Sequence, residues 1–195
     1  MAFIGLRYPV AAPITAETDG AEPTYGAGFV VGKAIQANLT ITRNNNPLYG
    51  DDAIAEDDNG ITGMSLELGV DDLEDEVRAK LMGDVAIEGQ NSAPTVYYET
   101  DHSAPNVGFG YIRVRRRRGV TSYQALFIHK IVFGETSENA QTKGESIEWQ
   151  TPTITGRAAG LMLNNVNYIS FRKRALFTTF TDAQTWLRTQ ANITA

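Results

Sequence analysis

The sequence predicts a mainly β (α+β) domain, a sandwich or barrel of strands with one central flanking helix and a second helix at the C-terminus. Three observations lead there. Apolar and polar residues alternate with period two through most of the chain, and spacing of helical period occurs in only two places. The third is that 195 residues without a cysteine are enough to bury roughly 70% of the unfolded surface around a single core, with no disulfide framework in its place.

Taken in order, residues 1–27 are punctuated by Pro9, Pro13 and Pro23 and read as an N-terminal arm. No apolar stretch there has signal-peptide length, and none elsewhere approaches about 18 residues. The expectation is a soluble protein made in a cytoplasm. In residues 32–42, Ile35, Ala37, Leu39 and Ile41 alternate with Gln36, Asn38, Thr40 and Thr42, the pattern of a strand with one buried and one polar face. Met64, Leu66 and Leu68 repeat it against Ser65, Glu67 and Gly69. Further strands are expected over residues 97–100, 107–117, 123–133, 146–155 and 165–171. Between the second and third of these, Arg117, Arg118, Gly119 and Val120 supply the glycine of a tight hairpin.

The first helix is expected over residues 71–82. Asp71 or Asp72 can cap it, Glu74 to Glu76 suit the positive end of its dipole, and Leu73, Val77 and Leu81 share a face that Gly83 terminates. The second, over residues 181–191, opens with Thr181 and Gln184 at capping-box spacing and turns Ala183, Trp186 and Leu187 to a core.

Residues 43–60, between the first two strong strands, are too long and too polar for a hairpin turn. They hold Arg43, Asn44, Asp51, Asp52, Glu56, Asp57 and Asp58, yet also Leu48, Tyr49 and Ile54, which can order against a partner. The segment is expected to be a contact arm. A calcium loop fails on register: with Gly60 as the turn glycine, Ala55 and Leu66 fall where carboxylates are required. The glycine-rich run from Gly26 to Gly32-Lys33 likewise lacks phosphate-loop spacing, its hydroxyl and a following helix.

Charge is distributed unevenly. Residues 1–105 hold 18 acids and 5 bases, and residues 106–195 hold 5 acids and 12 bases. Either the two halves interleave and neutralise each other within one subunit, or complementary patches favour head-to-tail contacts between copies. Arg113 and the run Arg115, Arg116, Arg117 and Arg118 are expected to pair between subunits, and Arg172-Lys173-Arg174 in the same way. The alternative is a single-stranded nucleic-acid-binding β-barrel that grips backbone with arginines 113–118 and stacks bases on Phe109 and Tyr111. A pI of about 4.9 counts against that alternative. His102 and His129 are the only histidines, and neither is tied to a nucleophile or carboxylate by a recognisable spacing. No catalytic, metal or cofactor site is expected, and the protein is not expected to be an enzyme.

Five blocks carry a resemblance. They are GLRYPVAAP at residues 5–13, ANLTITRN at 37–44, PLYGDDA at 47–53 followed by Glu56, GFGYIRV at 108–114 and GESIEWQTPT at 144–153. Together, and in this order, they resemble the major tail proteins of siphophages infecting Gram-positive bacteria; the likeness is weakest over residues 83–92. It implies a single tail-tube domain over residues 1–195, a β-sandwich whose copies form hexameric rings stacked into a hollow tube. One sheet of each subunit would join its neighbours around the lumen, and residues 43–60 would be the loop that reaches the next ring. Phage DNA would pass through without sequence-specific binding, past a wall to which Glu67 is a candidate contributor. The implied partners are further copies of the chain, a tape measure protein, a tail terminator and a distal tail protein. The implied location is the virion tail, reached from the host cytoplasm, and the tube of a tail-like bacteriocin is a close relative.

Overall fold

The computed structural model describes residues 2–51, 53–58, 60–89, 94–99, 103–137, 142 and 151–194. Strands β1 (Ala2–Ala16), β2 (Thr24–Tyr25), β3 (Phe29–Val30), β4 (Ala34–Arg43), β5 (Asn46–Gly50), β6 (Ala53–Asp58) and β7 (Ile61–Val70) precede helix α1 (Asp75–Met82). After it come β8 (Val85–Ile87), β9 (Val96–Tyr98), β10 (Val107–Arg117), β11 (Val120–Ser137) and β12 (Thr153–Ala158), then β13 (Leu161–Leu163), β14 (Tyr168–Ser170), β15 (Arg172–Phe177) and helix α2 (Phe180–Gln190). Among the described residues, nine strands form one sheet in the order β2-β1-β10-β11-β12-β7-β4, with β3 added to β1 and β15 to β11. The pairs β5–β6, β8–β9 and β13–β14 stand apart as two-stranded hairpins. The chain is mainly β with a C-terminal helix, as its alternation predicts.

The long strand β11 divides the sheet. Its first half lies between β10 and β15, with Tyr123 opposite Phe177 and Ile128 opposite Arg172, whereas its second half pairs β12 from Ile131 to Ser137. Two cores result. Phe109, Tyr111, Leu126 and Ile128 point to one face, where they meet Leu66 and Leu68 of β7 and Leu81 of α1. Ile112, Ala125 and Phe127 point to the other, under Ala183 and Leu187 of α2. Gly108 and Gly110 bring α2 and Tyr25 close to the sheet: a Cβ on Gly108 would lie 2.5 Å from Tyr25 Cε1. The β10–β11 turn matches its expectation, with Arg118 at φ 48° and Gly119 at φ 82°, both positive as a two-residue type I′ turn requires.

Several boundaries differ from the sequence expectations. Residues 2–16 are not a free arm but pair with β10 from Ala2–Arg116 to Pro13–Val107. The strand tolerates Pro9 because the register shifts between Arg7 and Val10, with Tyr8 at φ 56°, so no ladder donor is demanded there. Helix α1 starts later than residue 71 because the Asp71 carboxylate is already engaged by the backbone N–H groups of Lys33 and Asp72. Glu74 occupies the N-cap without a side-chain bond, and Gly83 ends the helix at φ 87°, as expected. Helix α2 is capped by Thr179, not Thr181: its hydroxyl accepts from Asp182 N at 3.2 Å and donates to the Asp182 carboxylate at 2.6 Å. Ile35 is exposed instead of buried, because the β4–β7 register slips between Ala34 and Gln36. Of the strand expected over 165–171 only Tyr168–Ser170 forms one, β14, because residues 164–167 are a turn that joins it to β13; of the one expected over 146–155, residues 146–150 lie outside the described residues and Thr153 to Thr155 open β12.

Candidate functional site

The segment expected to be a contact arm, too long and too polar for a hairpin turn, contains two paired strands. Residues 46–58 form the β5–β6 hairpin, with Leu48 opposite Glu56, Tyr49 opposite Ile54 and Gly50 opposite Ala53. Asp51, at φ 49°, sits in its turn, and Asp52 lies outside the described residues. The root of the hairpin is fixed where Asn44 N donates to Gly60 O at 2.8 Å, next to Arg43, which faces Ile61 across β4 and β7. Among the described residues the hairpin is bonded to no other strand. Residues 46–58 carry five acids and no base.

Glu67 lies on a second surface. The outward residues of β4 are Gln36, Asn38, Thr40 and Thr42, those of β7 are Ser65 and Glu67, and those of β12 are Thr153, Thr155 and Arg157. Gln36 Nε2 donates to Glu67 Oε1 at 2.9 Å. The face is a carpet of hydroxyls and amides with one acid and one base, whose inward neighbours Leu66, Leu68 and Ile154 are fully buried. Such a surface offers water many partners and a polyanion few fixed positive charges.

A third surface gathers arginines that are distant in sequence. Register sets Arg113, Arg115 and Arg117 of β10 on the same face as Phe109 and Tyr111, beyond the end of the core. From β15, Arg172 stands opposite Ile128 and Arg174 opposite Leu126, so both project to that face as well. Arg116 projects to the opposite face and Arg118 lies in the turn. Arg113 donates to Gln124 Oε1 at 2.7 Å and its guanidinium lies 4.2 Å from the Phe3 ring centre, a favourable cation–π distance. The buried Nε atoms of Arg113 and Arg115 have no hydrogen-bond partner. Burial lowers the pKa of Arg172 from its ordinary value; Tyr111 opposes that shift, and Arg113 and Arg174 reinforce it. Among the described residues none of these five arginines pairs with a carboxylate. Alternation of Arg172 and Arg174 about Lys173 was the sequence signal for this grouping, but only pairing with β11 reveals it.

The charge asymmetry is partly resolved inside the subunit. Lys130 bonds Glu17 at 2.7 Å and Lys173 bonds Glu22, each joining the basic half to the acidic one. His129 is 1% exposed, with Nε2 3.1 Å from Ser170 Oγ; His102 lies outside the described residues. Phe109 and Tyr111, the stacking platforms of the nucleic-acid alternative, are fully buried in the core and present no face to a base. Sequence comparison finds no matching family model and no matching curated protein. No helix of the described residues is long and apolar enough to cross a membrane.

Proposed function

We propose that the chain is the structural subunit of a phage tail tube, polymerising as stacked hexameric rings that conduct DNA from the capsid to the host. The observation that carries this is the β5–β6 hairpin, whose two strands pair with each other and with no other described strand, in a segment of five acids and no base. A subunit that orders such an element presents it to something outside itself. The near-neutral face around Glu67 supports the same function, since DNA sliding along it meets hydration and few charges able to hold it. Among the described residues β4 and β15 each pair on one side only, and exposed edges are a liability that joining sheets between subunits would remove. The repeating contact is heterologous and open-ended, the geometry that yields filaments. In this function the chain acts without catalysis, metal or cofactor, meets the tape measure, terminator and distal tail proteins, and resides in the virion tail after assembly in the host cytoplasm.

Negative-stain electron microscopy of the purified protein across concentration and salt tests the proposal. Hollow tubes or stacked rings are expected. Monomers under every condition, including in the presence of assembled tail tips, would overturn it.

The arginine face favours a second function, binding of single-stranded nucleic acid. Oligonucleotide retention that falls steeply with salt, measured on monomeric protein, would select it.

A further inference from the structure

We infer that the arginine face of one subunit is the docking surface for the acidic β5–β6 hairpin of a second copy of this chain. The inference rests on the assembling function proposed above and specifies which surfaces meet.

Arg113, Arg115 and Arg117 on β10 and Arg172 and Arg174 on β15 share one side of the sheet across β11. Like charges held this close repel, and the described residues supply no carboxylate to relieve them. The other basic side chains of β11 and β15 are treated differently: Lys130 and Lys173 are each matched by an acid of the same chain. Among the described residues of β11 and β15, the cations without a carboxylate are therefore those on this face.

The border of the face has the composition of a protein interface. Phe3 is 46%, Leu176 55% and Val120 68% exposed, and each sits opposite a member of the face in the strand register. Arginine set among exposed apolar residues is the pairing enriched where proteins meet. The rings that the nucleic-acid alternative would use for stacking, Phe109 and Tyr111, are buried, and the exposed ring beside the face, Phe3, already carries the Arg113 guanidinium 4.2 Å from its centre.

The hairpin fits as occupant by charge. Asp51, Glu56, Asp57 and Asp58 belong to it, and residues 46–58 contain no base. Arginine forks bind carboxylates with two parallel hydrogen bonds, so several arginines and several acids define a register as well as an attraction.

Two reversed variants of the full chain test the docking. The first carries Arg115→Glu and Arg174→Glu, the second Glu56→Lys, Asp57→Lys and Asp58→Lys. Each alone opposes like charges across the contact and is expected, by sedimentation velocity, to self-associate at least about tenfold more weakly than wild type. Mixed together they oppose unlike charges at every contact, and association is expected to return. An Arg115→Gln, Arg174→Gln variant with an unchanged circular dichroism spectrum separates lost charge from misfolding, and is expected to weaken association without the rescue. Wild-type-like association of both reversed variants overturns the docking, while tubes in the micrographs would leave the proposed function standing. Rescue in the mixture with only closed dimers in the micrographs sustains the docking and removes the tube. A wild-type chain that stays monomeric at every concentration overturns the docking; if it binds oligothymidylate and the first variant does not, the arginine face belongs to nucleic acid.

Discussion

Leu187 of α2 occupies the space above Gly110 of β10: a Cβ built on that glycine would lie 2.7 Å from Leu187 Cδ2, 2.9 Å from the carbonyl oxygen of Leu126 and 2.9 Å from Phe127 Cδ2. The absence of a side chain at one residue thus sets how closely the terminal helix approaches the sheet. Gly110→Ala must push against a backbone carbonyl that cannot rotate away. It is expected to cost about 1–3 kcal/mol, the range for overpacking a filled core. Urea denaturation measures it; an unchanged midpoint would mean that α2 slides freely on the sheet.

Burial lowers the pKa of His129, Glu22 opposes that shift and Lys173 adds to it. A histidine whose folded pKa lies below its unfolded value takes up a proton on unfolding. Its contribution to stability is therefore complete above the ordinary histidine pKa of about 6.5 and is lost as pH falls toward the lower folded value. Replacing His129 with Gln keeps a group able to reach Ser170 but removes the titration. The stability difference between wild type and His129→Gln, followed from pH 7.5 to pH 5, should move against the wild type as pH falls. A constant difference would show that His129 does not titrate on unfolding in this range.

Among the described residues no strand outside the hairpin pairs with β5 or β6, so the hairpin can be removed without breaking the main sheet. Deleting residues 44–58 while leaving Arg43 and Gly60 joined by a short turn keeps the β4–β7 ladder from Thr42–Gly63 onward. The expected product is a folded subunit with a melting temperature near that of wild type that forms no tubes. Normal tubes from it would remove the hairpin from the assembly contact.

Glu67 is exposed and held only by Gln36 among the described residues. Glu67→Lys is expected to change stability by no more than about 0.5 kcal/mol, as surface substitutions do. It should leave tubes intact and slow DNA ejection, because the face would gain a charge able to hold phosphate. Unchanged ejection kinetics would argue against a lumenal position for Glu67.

Where packing obeys a simple period, the fold could be read in advance. Ala37, Leu39, Met64, Leu66 and Leu68 face inward as their alternation requires, and Gly83 and Gly119 end a helix and form a turn as their residue type allows. What escaped was non-local. Nothing near Pro9 announces that a bulge will admit it to an inner strand, since the strand that it joins lies far along the chain. Nothing near Asp71 announces that Lys33 N will claim its carboxylate before a helix can. The arginine face is the same kind of property: each arginine was visible, but the register of β15 on β11 decides which of them stand together.

The pairing of β1 with β10 also sets an order of events during synthesis. Val10 lies opposite Gly110, so β1, once synthesised, has no partner on that side until about a hundred further residues have been added. At about 5–20 residues per second that interval lasts several seconds or more. The segment that later fills the inside of the sheet is for that time an uncovered apolar ribbon. Solubility of the nascent chain then depends on what shields those residues, and a chaperone that holds the newly made β1 would raise the yield of subunit without touching the finished molecule.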